Sequence, residues 1–133
     1  MNFAQAVSNA MRQYFTFSGR ARRAEFWWFE LFLIVTPWVI TFVTSLLFGD
    51  FFLVQIAEIG GEPMILDVPN VLFGVATFIP SLAVAVRRLH DTDRTGWWLL
   101  ITFTVIGIPV LIVWFILKGT TGPNRFGPDP LHT

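Results

Sequence analysis

Residues 26 to 48, "FWWFELFLIVTPWVITFVTSLLF", hold one charge, Glu30, in 23 residues. As a helix this run is roughly 34 Å long, enough to cross the hydrocarbon core of a bilayer. In lipid each backbone N–H and C=O must find a partner within its own element, which leaves the helix as the form such a run can take. The rest of the chain agrees. It is 54% hydrophobic and 17% aromatic over 133 residues, more apolar surface than a water-soluble domain of that length can hide. The expected class is an all-α integral membrane protein, read as a single membrane domain over residues 1–133.

Two further apolar runs extend this. Residues 69–86 and 97–117 are expected as the second and third spans, with Pro80 inside the second and Gly107 and Pro109 breaking the middle of the third. Ahead of the first span, Phe3, Ala6, Val7, Ala10, Met11, Tyr14 and Phe15 recur at three- and four-residue steps. They predict a short amphipathic helix, lying in the membrane interface or packed on protein. "FFLVQIAEI" at 51–59 is too short to span and reads as a surface-hugging piece ended by Gly60 and Gly61. The Gly- and Pro-rich segment from Lys118 onward reads as an ordered coil. Met1 to Gln13 holds no apolar run, so no cleavable leader is expected there.

Lys and Arg counts set the expected orientation. Arg12, Arg20, Arg22 and Arg23 precede the first span. The loop over 49–68 carries Asp50, Glu58, Glu62 and Asp67 with no basic residue. Arg87, Arg88 and Arg94 follow the second span. The N-terminus and the 87–94 loop are then cytoplasmic, and the acidic loop lies outside. A full third crossing places the tail outside, against the preference of Lys118 and Arg125. A re-entrant third segment returns it to the cytoplasm. Both paths stay open.

Charge concentrates in "RRLHDTDR" at 87–94, where six of eight residues can ionise in a chain that is 14% charged. The expected topology brings this stretch to the same face as Arg20, Arg22, Arg23 and Glu25. Trp27, Trp28, Trp97 and Trp98 stand at that edge, where indoles prefer the headgroup level. On helical wheels Glu30, Pro37, Thr41 and Ser45 form one stripe; Gly74, Thr77, Ser81, Ala85 and Arg88 form another. Small and hydroxyl residues at this spacing mark helix contacts in membranes. A carboxylate within lipid needs a partner, so Glu30 is expected to pair with Arg88 or Arg87, or with Arg23 if the first helix extends back. Asp91 and Asp93 are expected to neutralise arginines of the N-terminal segment.

Other chemistries find less support. His90 and Asp91 are adjacent, and neighbours on a helix do not face each other as a base and its orienter must. Asp91 and Asp93 are flanked by arginines, which favours ion pairs over a bare cation. His90 and His132 alone make zinc improbable, and with no cysteine in the sequence there is no thiolate chemistry. "GTTGPN" lacks the lysine and following helix of a phosphate-binding loop. No cofactor or metal is expected. Net charge is zero, so no global field points to nucleic acid.

Three motifs, "FSGRARRAEFW" at 17–27, "PSLAVAVRRLHDTDRTGWW" at 80–98 and "GTTGPNRFGPDP" at 119–130, in this order and spacing, resemble the domain-of-unknown-function 805 family of small bacterial inner-membrane proteins. The resemblance covers nearly the whole chain. It marks Gly19, Arg20, Arg23, Glu25, Phe26 and Trp27, then Arg87, Arg88, Leu89, His90, Asp91, Gly96 and Trp97, then Asn124, Arg125, Phe126, Gly127, Pro128 and Pro130. Thr95 stands where Ser is usual. The resemblance implies a bacterial inner-membrane location, no established biochemical function, and a tail that belongs with the other two motifs. The cluster Arg20, Arg23, Glu25, Glu30, Arg87, Arg88, His90, Asp91, Asp93, Arg94, Asn124 and Arg125 is thus read as structural, with no catalytic residue. The expected role is a non-enzymatic interaction or envelope-maintenance module. Its partners would be the bilayer, anionic headgroups at the cytoplasmic face, and a second copy or another membrane protein. The alternative is an oligomeric transport or ion-conducting component.

Overall fold

Asn2 and Gln5 open the first helix by a reciprocal capping box. The Asn2 side chain accepts from the Gln5 N–H at 2.9 Å, and the Gln5 side chain accepts from the Asn2 N–H at 3.0 Å. In the computed structural model, which describes residues 1–131, this helix is α1, Phe3–Arg12. His132 lies outside the described residues. Next come α2 (Arg23–Phe48), strands β1 (Leu53–Ile59) and β2 (Glu62–Asp67), α3 (Val68–Asp91), a 3-10 helix (Gly96–Phe103) and α4 (Gly107–Ile116). The fold is mostly helical. Two helices, α2 and α3, are long and apolar enough to cross a membrane.

The chain divides into two compact units. One joins Met1–Glu30 to Ile79–Thr133; the other is Leu31–Phe78.

In the second unit, the segment expected to hug a surface is instead a strand. β1 pairs antiparallel with β2, from Leu53 opposite Asp67 to Ile59 opposite Glu62. Gly60 and Gly61 have φ of +63° and +85°. Two successive positive φ values make the turn whose twist suits a two-residue hairpin, and glycine adopts them without strain. Asp67 then starts α3: its carboxylate accepts from the Asn70 backbone N–H at 3.3 Å and the Asn70 amide at 2.8 Å. Pro69 falls in the first turn, where a missing N–H costs nothing. Thr41 of α2 donates to Asp67 at 3.0 Å and accepts from Asn70 at 2.7 Å. Phe32 meets Phe73 edge-on at 5.5 Å. These contacts tie α2 to α3 within the unit.

In the first unit, residues 97–117 do not form one continuous helix. Trp98 and Trp114 lie edge to face, ring centroids 5.4 Å apart. A straight helix would separate positions sixteen residues apart by roughly 24 Å. The chain doubles back instead. Its 3-10 helix ends at Phe103, and the Thr104 hydroxyl accepts from the Gly107 N–H at 2.9 Å. A side chain at Gly107 would collide with the Ile101 carbonyl, so glycine permits the close return. Pro109 sits in the first turn of α4. In the same unit, Ala6 and Ala10 of α1 are fully buried, and Phe3 meets Trp28 edge-on at 6.1 Å. At least part of the apolar stripe of α1 therefore packs on protein.

Candidate functional site

Both helices run further than their apolar stretches. α2 begins at Arg23 and α3 ends at Asp91, so Glu25, Arg87, Arg88, His90 and Asp91 all stand on helix. The coil before α2 and the tail close over them. Buried polar residues of this platform include Arg20, Glu25, Arg87, Arg88, His90, Asp91 and Asp129.

Asp91 is the centre. Arg20 Nε and Nη2 each reach its Oδ1 at 2.9 Å. Arg88 pairs with its other oxygen. A carboxylate this buried would be costly unpaired; two guanidinium groups meet both oxygens. The remaining Arg20 donors turn to the tail: Nη1 donates to the Gly122 carbonyl at 2.7 Å and Nη2 to that of Thr120 at 2.5 Å. The Thr120 N–H donates back to the Asp91 carbonyl at 2.7 Å. A side chain at Gly119 would strike the Asp91 carboxylate, so glycine lets the tail pass.

Arg88 is fully buried. Besides Asp91 it donates to the carbonyls of Phe115 at 3.2 Å and of Leu117. Arg23 donates to that of Ile116 at 3.3 Å. The last carbonyls of a helix lack intrahelical partners and carry its negative dipole end. Two arginines thus cap the C-terminus of α4. Arg87 pairs with Glu25 at 2.8 Å, both buried.

Asp93 ends α3. Its φ is +60°; its N–H donates to the His90 carbonyl at 3.0 Å, and the Arg94 N–H reaches back to that of Leu89 at 2.9 Å. This is a Schellman closure, with aspartate in the left-handed position usually held by glycine. Arg94 lies over the Trp114 ring, 4.3 Å from its centroid. His90 Nδ1 hydrogen-bonds the Gly19 carbonyl at 2.9 Å, and its ring stacks on Phe126 at 4.0 Å. Asn124 donates to the His90 carbonyl at 2.9 Å, and Arg125 pairs with Asp93 at 3.2 Å on the exposed rim.

The three segments singled out in the sequence therefore meet. The individual pairs differ from expectation. Glu30 has no ion pair among the described residues; Arg88 turns to Asp91 and helix carbonyls, and Arg87 turns to Glu25. A helical wheel gives the face of a residue but not the reach of its side chain, and Glu25, in the first turn of α2, is the carboxylate that Arg87 reaches. Asp91 does neutralise Arg20, whereas Asp93 meets Arg125 of the tail. Asp129 is a further buried member of the tail. It accepts from the N–H groups of Gly122 and Leu131, at 2.9 and 3.0 Å, and so shapes the tail. Its signal is an aspartate between two prolines in a loop, placed to hold backbone donors.

The family described as "Protein of unknown function (DUF805)" matches residues 14–128. Inner membrane protein YhaI of Escherichia coli (strain K12) is 42% identical over 125 residues, 92% of each chain. Inner membrane protein YhaH of the same organism is 40% identical over 121 residues, 90% of this chain and 91% of that one. No solved structure matches.

Proposed function

The chain belongs to the DUF805 family, and from that premise we propose that it is a non-enzymatic, multi-pass inner-membrane protein serving as an interaction or envelope-maintenance module. α2 and α3 cross the bilayer, the acidic hairpin lies outside, and the platform with the N-terminus faces the cytoplasm. The 97–117 segment enters the membrane and returns. Relatives named as inner membrane proteins support the location. Zero against three basic residues in the two loops supports the orientation.

One observation carries the functional reading. The charges of the platform are engaged with one another and with helix and tail carbonyls: Asp91 with Arg20 and Arg88, Glu25 with Arg87, Arg23 and Arg88 with the end of α4. Such a structure presents a fixed surface to anionic headgroups and to a second copy or another membrane protein. Photocrosslinking from Thr92 and Thr121 in native membranes, followed by mass spectrometry, tests this. Reproducible crosslinks to lipid or to one protein are expected. A folded His90→Gln protein with unchanged crosslinks but a lost cellular phenotype would overturn the non-enzymatic reading.

A second reading, an oligomeric transport or ion-conducting component, rests on Glu30, a carboxylate in an apolar helix with no ion pair among the described residues. It predicts ion flux in proteoliposomes that Glu30→Gln abolishes.

A further inference from the structure

Six of the eight arginines in the sequence hold an acidic, carbonyl or aromatic partner: Arg20, Arg23, Arg87, Arg88, Arg94 and Arg125. The guanidinium groups of Arg12 and Arg22 hold none among the described residues. These two line one cleft. It has a volume of about 490 Å³ and includes Gln5, Ser8 and Asn9 of α1, a size within the ~300–1,000 Å³ of small-molecule sites.

Three other lining residues, Gln5, Ser8 and Asn9, offer donors beside Ala4 and Met1. The Gln5 side-chain oxygen is occupied by the Asn2 N–H, and that of Asn9 by Gln13. What these two amides have left to offer is N–H. Ser8 adds a hydroxyl. Among the described residues no carboxylate lines the cleft. Two free guanidinium groups with surrounding N–H and O–H donors are complementary to a phosphate. Trp28 of α2, partly exposed, is in ring contact with Phe3 of α1, the helix that lines the cleft, and indoles settle at the headgroup level.

We propose that the Arg12–Arg22 cleft binds the phosphodiester of an anionic phospholipid. This rests on the headgroup reading above and gives it a location: the central arginines are engaged internally, and the anion is held at the flank, between α1 and the start of α2.

Isothermal titration of the full chain in a neutral detergent tests the proposal. The probes are dihexanoyl phosphatidylglycerol, dihexanoyl phosphatidylcholine and glycerol phosphate. Phosphatidylglycerol should bind in preference to phosphatidylcholine. Arg12→Gln with Arg22→Gln should weaken it about 30-fold, and Arg12→Lys with Arg22→Lys should restore most of the affinity. The glutamine variant should keep the wild-type Tm, because neither guanidinium holds a protein partner. Equal phosphatidylglycerol binding by wild type and the glutamine variant would overturn the cleft and leave the headgroup reading standing. Failure of the wild type to prefer phosphatidylglycerol would overturn both. Glycerol phosphate binding as tightly as phosphatidylglycerol would overturn the lipid as the source of the phosphate.

Discussion

Arg20 and Asp91, 71 positions apart in the chain, meet through two N–H groups on one carboxylate oxygen, and both side chains are buried. Asp91 also holds Arg88, so its loss strands two guanidinium groups. Breaking a buried pair from one side typically costs about 3–5 kcal/mol. Asp91→Ala should therefore lower stability at least as much as Arg20→Met. The double variant should recover part of the sum without reaching wild type, since Arg88 stays stranded. Thermal unfolding of the four proteins in nanodiscs measures this. Strict additivity would show that the two residues do not interact.

A second cycle separates Glu25 from Glu30. Glu25→Leu and Arg87→Leu should couple by ~1–3 kcal/mol, as contacting buried residues do. Glu30→Leu and Arg88→Leu should add within about 0.5 kcal/mol. Glu30→Leu alone should be neutral or stabilising in a bilayer, because it removes a carboxylate without an ion pair from an apolar helix. Strong Glu30–Arg88 coupling would restore the pairing suggested by the helical wheels.

Asp93 combines a left-handed backbone with a solvent-exposed ion pair to Arg125. Exposed pairs contribute about 0–1 kcal/mol, whereas a left-handed residue with a Cβ costs roughly 1–2 kcal/mol. Asp93→Gly should thus raise the Tm or leave it unchanged. Asp93→Val should lower it by several degrees. A marked loss in the glycine variant would show that the carboxylate matters more than the turn.

The tail packs on Asp91 and Arg20 within one compact unit, so the proposed topology puts it on the same membrane side as the end of α3. Cysteines at Thr92 and Thr121 should both resist an impermeant thiol reagent in intact cells, and a cysteine at Gly60 should react. Labelling of Thr121 with protection of Thr92 would require a third full crossing and contradict the fold.

Much of this was legible in the sequence, for identifiable reasons. Charge is so costly in an apolar chain that Arg20, Glu25, Arg87, Arg88 and Asp91 had to converge, and they do. Which carboxylate meets which arginine was not legible, because helix carbonyls compete as acceptors: Arg23 and Arg88 close the end of α4, a role that no pattern of charges reveals. The hairpin has a sequence signal of its own: two adjacent glycines between runs of β-branched and apolar residues mark a turn, although a short apolar run also suits a membrane surface. The fold-back of 97–117 was half legible. Gly107 and Pro109 mark the break, yet hydropathy cannot tell a crossing from a return, since both bury the same residues in lipid.

The grip of the tail on Arg20 also has a consequence in time. Residues 120–122 emerge from the ribosome after both long helices have been made. Until they arrive, Arg20 lacks the carbonyls of Thr120 and Gly122, and that side of the platform stays open. Without residues 119–122 the Arg20 guanidinium would keep Asp91 but lack two of its acceptors, so closure of the platform waits on a segment made well after the helices it joins.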